Sequence, residues 1–448
     1  MARGSSVRTT PKTHRSFLIA PGLEPAYTST DESKGAGMYE NYLIKNGQLY
    51  DGIADTPATA DVRVRETVIA EIGPNLPPDG EKEIDATGLM VVPGLIDLHV
   101  HVFNGTGQWS IDPALAGLQT GVTTVLDTGS AGALTFKTFH RYIISEAEED
   151  IFALLNISIF GCMTGHPDTE PVMGELTDTR HFHVPSTVAC IRKFPDRAVG
   201  AKVRLTAALA DGKPENEQAA FRGTLDIAAQ TNTFIMIHHG ASNIPTATML
   251  DALRPGDVVT HLYHRQDDSP FEGPGRKPAE ALLRARERGV VFDVGHGVGS
   301  FSWSRAEPAC REHGFWPDTI STDVHSFNLN GPVHDMPTTM SKLLYLGMPI
   351  HDIIRASTKR PAEVLGIGDR FGTLRPGRQA DITLLRLESG AFELYDVEGK
   401  ARTAGKRFAP ISVFKKGVHR PCRISESLAP SPDTWAVPST IQKLNRTA

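Results

Sequence analysis

Cysteine is scarce in this 448-residue chain, and the four present (Cys162, Cys190, Cys310 and Cys422) form no CxxC pair. That pattern suits a reducing compartment better than a disulfide scaffold, so the cytoplasm is the expected setting. Long apolar runs are also missing. The longest are strand-length and interrupted by polar residues, which predicts no membrane span. Positive charge is not in excess either: 46 Lys and Arg against 52 Asp and Glu leave a net charge of -6. A chain without a basic surplus lacks the electrostatic grip that nucleic acid demands. Acidic residues are absent before Glu24, within a Ser/Thr/Pro/Gly-rich stretch from Met1 to about Gly37. Such a start suits either a transit peptide or a disordered extension. Disorder is the expectation, with the ordered chain beginning near Met38.

What is present points elsewhere. With 40% hydrophobic and 22% charged residues the composition is that of a globular protein. The length accommodates an α/β barrel with a companion domain. In Val91-Val92-Pro93-Gly94-Leu95-Ile96-Asp97-Leu98-His99-Val100-His101 an apolar run, punctuated by Pro-Gly, ends in two histidines one residue apart. Strand alternation sends residues i and i+2 to one face, so His99 and His101 can grip a single ion through neutral imidazoles. An isolated pair of this kind is as often structural, and the residues downstream must decide.

Seven further apolar runs alternate with helical stretches: Thr123–Asp127, Ala153–Gly161, Val199–Thr206, Phe234–Gly240, Asp257–His261, Val290–Gly295 and Thr319–His325. Lys277–Arg288 reads as one of the helical spacers. Strand–helix alternation repeated eight times predicts an α/β fold, a (β/α)8 TIM barrel. Short alternating segments flank it, from Tyr42 with an Asn46-Gly47 turn signal, and again around Gly372–Leu385. They predict a small β-sandwich built from both chain ends. The expected division is an extension over 1–37, sandwich over 38–92, barrel over 93–368, sandwich again over 369–425, and a tail over 426–448.

Barrel chemistry sits at the C-terminal ends of strands. Those ends carry HxH, Lys202, His238 or His239, His261 and Asp323 on strands 1, 4, 5, 6 and 8. With the Pro93–His101 signature, the Thr358-Lys359-Arg360-Pro361-Ala362-Glu363-Val364-Leu365-Gly366 run and the Gly372-Thr373-Leu374, Gly377 and Ala380-Asp381 return, the chain resembles the amidohydrolase superfamily. Within it, Asp257–His261, Phe292–Gly297 and Asp318–His325 are similar to an amidohydrolase/deacetylase group related to D-aminoacylases and dihydroorotases. Some members of that group act on acetylated (R)-α-hydroxy acids.

The resemblance implies two divalent ions, expected to be Zn2+. His99 and His101 would hold the more buried ion, with Asp323, and His238 and His261 the more exposed one. Lys202 would bridge them as a CO2-derived carbamate, because a bare ammonium is a poor ligand and burial lowers a lysine pKa. His238 is preferred to His239, which alternation turns away. A metal-bridging hydroxide would attack the acyl carbonyl, and Asp323 would shuttle the proton to the leaving group.

The substrate pocket is less legible. Dihydroorotases follow HxH with an arginine, but Val102-Phe103-Asn104-Gly105 stands here. Arg204, on the Lys202 face, is a candidate for the substrate carboxylate or for an ion pair within the barrel. His296 and His166 are candidates for substrate contact, against core or loop roles, and His325 for support behind Asp323. Phe103 and Trp109 are candidates for an apolar wall. The expected activity is hydrolysis of an amide or ester acyl bond in a small carboxylated molecule, such as an N-acyl-D-amino acid or acetylated (R)-hydroxy acid. Cyclic amide or imide hydrolysis is the alternative, and a non-catalytic scaffold is disfavoured by the complete ligand set. The expected partners are a small-molecule substrate and further copies of the chain in a homo-oligomer, with neither nucleic acid nor membrane.

Overall fold

The computed structural model describes residues 40–106, 109–162, 174–425 and 428–429. The expected extension over 1–37 lies outside them, as does His166 and most of the expected tail.

Seven parallel strands form one sheet in chain order: Leu95–Val100, Val122–Gly132, Asp150–Asn156, Ala198–Leu205, Phe234–His239, Val258–Thr260 and Val291–Phe292. Their residues are apolar and buried on both faces, as parallel strands sheathed by helices must be. The expected eighth strand is an irregular segment. It nonetheless bridges both ends of the sheet in parallel, Asp293 to Thr319 and Val100 to Val324. Backbone bonds from His101 N to Val324 O (3.1 Å) and from Gly297 N to Thr322 O (2.9 Å) close the ring. Its ladder breaks where Asp323 turns into the left-handed region at φ +50.

Helices follow the strands on the outside, among them Val184–Lys193, Pro214–Thr231, Glu280–Arg288 and Met336–Leu346. The helix expected from Lys277 starts only at Glu280. Lys277–Pro278 instead pairs with Phe271–Glu272, since the residue before proline avoids helical torsions.

Both chain ends contribute to the second region, where Ile382–Tyr395 pairs antiparallel with Met90–Pro93. Its eight strands are linked by hydrogen bonds into one continuous sheet. Asn46-Gly47 makes no hairpin turn. It lies inside the strand Tyr42–Leu49 as a bulge, with Asn46 at φ +61 and its N–H donated to Asp61 Oδ1 at 2.8 Å. A Cβ at Gly47 would lie 2.3 Å from Val91 Cγ2, so the neighbouring strand packs where only glycine leaves room. The hairpin between Ile382–Tyr395 and Ala401–Lys415 reaches back over the barrel, and Trp303 Nε1 donates to Lys400 O at 3.0 Å.

Candidate metal centre

His99 and His101 end the first barrel strand, both buried and both facing the axis. Their Nε2 atoms lie 3.3 Å and 3.2 Å from Asp323 Oδ1. His261 Nε2 approaches the other carboxylate oxygen at 3.9 Å, and the His238 ring stands 4.3 Å from the His261 ring. His99, His261 and Asp323 each offer an atom within 4.8 Å of the others, a spacing that suits one cation. Lys202 is 1% exposed, and among the described residues its Nζ has no hydrogen-bond partner. The lysine stem fits because position 129 is glycine, where a Cβ would sit 3.1 Å from Lys202 Cγ. An orphaned buried amine beside an anion and three imidazoles fits a site completed by further chemistry.

Each imidazole is aimed from behind. His261 Nδ1 donates to Gly295 O at 2.6 Å, and since a carbonyl only accepts, the lone pair is left on Nε2. His99 Nδ1 meets Thr260 Oγ1 at 2.9 Å and His101 Nδ1 meets Ser130 Oγ at 2.8 Å, the outer support typical of ligating histidines. Burial and Lys202 push His99 well below the usual histidine range, and burial takes His261 down to about 4. Burial would raise Asp323, but His99, His101 and His261 outweigh it and keep the carboxyl ionised. Burial brings Lys202 down to about 8, with Asp323 opposing, so the neutral amine is accessible near physiological pH. His261 and Asp323 both take positive φ, +66 and +50, a torsional strain of roughly 1–3 kcal/mol each that a folded scaffold must hold.

His239 turns away, as alternation predicts, its Nε2 bonded to Ile244 O at 2.8 Å. The substrate contact expected of His296 is corrected. Its ring is fully buried and stacked 4.8 Å from Phe301, with Nδ1 2.9 Å from Gly297 O and Nε2 2.6 Å from Lys342 Nζ. No ring nitrogen is left for a substrate. Arg204 is corrected in part: Nε and Nη2 each bond a Glu175 oxygen at 2.6 Å, and Glu175 is fully buried. The ion pair within the barrel occupies its bidentate edge. Phe103 is core rather than wall, stacked 4.6 Å from Phe139. His325 packs behind the ligands, 4.6 Å from Trp109 and 6.2 Å from His101.

Several residues went unremarked in the sequence. Asp97 shares the parity of His99 and His101 and accepts from Thr322 N and Oγ1 at 3.0 Å and 2.6 Å, tying the first strand to the Asp323 segment. Alternation alone could have found it. Asp127 caps Val102 N and Ser130 N at 2.8 Å and 2.9 Å. Lys342 and Glu175 carry no sequence signal, because one lies in an ordinary helix and the other in an aperiodic loop.

The chain as a whole is similar to known proteins. The chain is 34% identical over 366 residues to a protein of Brucella anthropi named deacetylase, covering 80% of this chain and 87% of that one. The chain belongs to the amidohydrolase family. The amidohydrolase family profile itself matches residues 302–419. Crystal structures of an adenine deaminase and a dihydroorotase superpose on this amidohydrolase with TM-scores of 0.77, at 30% identity and 86% coverage of the chain. They extend over 100% and 98% of those two chains, so the likeness is to a TIM-barrel-like domain with a second domain. The protein is accordingly a hydrolase of carbon–nitrogen bonds other than peptide bonds. Divalent metals are general in the family, and His99, His261 and Asp323 form this amidohydrolase's candidate site. No helix among the described residues is long and apolar enough to cross a membrane.

Proposed function

We propose that this amidohydrolase is a metal-dependent deacylase. It removes an acyl group from a small carboxylated molecule, such as an N-acyl-D-amino acid or an acetylated (R)-hydroxy acid. Its scaffold is taken as a (β/α)8 barrel. His99, His101 and Asp323 would hold one zinc ion, His238 and His261 a second, and Lys202 would bridge them as a carbamate. When bound, such a pair acidifies a water towards neutral pH and polarises the acyl carbonyl. Asp323, kept ionised by three imidazoles, takes the proton from the attacking water at a carboxylate oxygen and returns it to the leaving nitrogen or oxygen. Burial lowers Lys202 to about 8, which brings its neutral amine within reach of CO2 near physiological pH. The observation that carries the proposal is the Asp323 carboxylate, 3.2–3.9 Å from three imidazole Nε2 atoms beside that orphaned amine.

The relatives named deacetylase support acyl cleavage over ring opening. The dihydroorotase likeness keeps ring opening as the second reading. Against it, none of the residues Val102-Phe103-Asn104-Gly105 that follow His101 is basic, so the run offers no cation to grip a substrate carboxylate. A panel of N-acyl amino acids, O-acyl hydroxy acids and hydantoins, each as both enantiomers, tests the choice alongside metal analysis. Turnover of hydantoins alone would reverse it. A preparation without stoichiometric metal and without hydrolysis would remove the enzyme reading entirely.

A further inference from the structure

One carboxylate outside the ligand set connects to three of its members. Asp293 lies just beyond the seventh barrel strand, fully buried, and collects three hydroxyls. Thr260 Oγ1 and Ser321 Oγ donate to its Oδ2 at 2.8 Å and 2.5 Å, and Thr319 Oγ1 donates to its Oδ1 at 2.7 Å. A hydroxyl has one proton to give. With that proton on Asp293, Thr260 Oγ1 can only accept from His99 Nδ1, 2.9 Å away, which obliges His99 to carry its proton on Nδ1 and its lone pair on Nε2. Ser321 Oγ likewise accepts from Gly295 N at 3.0 Å, and Gly295 O receives His261 Nδ1 at 2.6 Å. The approach is feasible only with glycine at 295, where a Cβ would lie 2.0 Å from Thr260 Oγ1 and 2.9 Å from His261 Nδ1. Thr319 and Ser321 belong to the segment that presents Asp323.

We propose that Asp293 is a positioning residue that fixes the tautomer of His99 through Thr260, and the ring of His261 through Ser321 and Gly295, and thereby sets metal affinity. This inference rests on the metal-dependent function proposed above. Its distinguishing consequence lies in proton direction. In Asp293→Asn an amide N–H can donate to Thr260 Oγ1, freeing the threonine proton to point at His99 Nδ1. The His99 proton would then move to Nε2 and block the ligand lone pair. Thr260→Val removes the relay at nearly constant volume, and Thr260→Ser restores it.

Zinc competition against a chromophoric chelator, on the full-length metal-stripped protein, reads the effect directly. Asp293→Asn and Thr260→Val should bind zinc 10–100-fold more weakly, the range for loss of a partner behind a ligating histidine, while Thr260→Ser stays near the parent. Imidazole 15N shifts of the same metal-free proteins should show the His99 proton on Nδ1 in the parent and displaced in Asp293→Asn. If Asp293→Asn does not fold, the Thr260→Val and Thr260→Ser pair decides. Equal zinc affinity in Thr260→Val and the parent overturns the inference and leaves the proposed function standing. A parent that takes up no zinc overturns both.

Discussion

Lys415 Nζ lies 2.7 Å from Asp150 Oδ2, joining residues 265 positions apart, and 2.7 Å from Asp381 Oδ2 as well. Asp150 opens the third barrel strand, and Lys415 ends a strand of the second sheet, so this buried triad pins one region to the other. Burial would raise Asp150, but Lys415 outweighs it and holds the acid down to about 2. Lys415→Met should therefore leave buried Asp381 without its side-chain cation and Asp150 with only Arg197 at 3.4 Å, and destabilise the fold by about 3–5 kcal/mol, read as a lower urea midpoint. The pH dependence has a definite sign. A folded-state pKa below the unfolded value contributes stability that is present above about pH 4 and lost as the pH falls towards 2. Lys415→Met should flatten that acid limb, and an unchanged limb would remove the triad from the account.

Arg204 and Glu175 make the second case. Since Glu175 is fully buried and Arg204, itself part-buried, holds it bidentately, Arg204→Met should cost about 3–5 kcal/mol of stability by leaving Glu175 charged and unpaired. Arg204→Met/Glu175→Gln should recover much of that loss, because the stranded charge is gone. KM should move little in the double variant. A large rise in KM with stability restored would instead return Arg204 to substrate binding through its free guanidinium edge.

At the proposed centre, Asp323→Asn would keep a ligand oxygen but not the base. Metal content should persist while kcat falls by about 100- to 10,000-fold, the range of general acid–base catalysis. Lys202→Ala should lose metal stoichiometry, with partial recovery of metal and activity when short carboxylates such as formate are added. Metal analysis together with turnover separates the two effects. Full activity with two metals bound in Lys202→Ala would contradict the carbamate.

Local rules made much of this site readable. His99 and His101 are visible because period-2 alternation puts them on one face, and the same rule chooses His238 over His239. Strand-end positions made His261 and Asp323 candidates, but nothing local shows that both adopt positive φ, since the surrounding barrel imposes that conformation. The same torsion broke the eighth strand. The core role of His296 is not legible in the sequence because its partner, Lys342, sits on the helix Met336–Leu346 and reads as an ordinary helical lysine. Only the folded chain shows all three of its ammonium protons taken by His296 Nε2, Pro332 O and Tyr395 O at 2.6–2.8 Å. Arg204 likewise met Glu175 from a loop without periodicity. Asn46-Gly47 misled for the opposite reason: the left-handed torsion it signals is present, spent on a bulge rather than a turn.

Gly297 gives the sharpest test of how closely Asp323, the proposed proton carrier, is packed. Its φ is +56, and a Cβ built there would stand 2.5 Å from Asp323 Oδ2. Gly297→Ala therefore meets two objections at once, a left-handed torsion disfavoured with a side chain and a methyl group against the carboxylate. The carboxylate is the end of a side chain and will give way, so the fold should survive with a modest loss of stability. Its displacement takes the proton acceptor out of line with the reacting atoms, and misplacements on the order of 1 Å cost roughly 100-fold in rate. The expected signature is a fall in kcat of about that size, with KM within a few-fold of the parent and far-UV circular dichroism unchanged. A Gly297→Ala protein of parental kcat would mean that Asp323 has more freedom than this packing grants it, and that its role as proton carrier needs no fixed geometry.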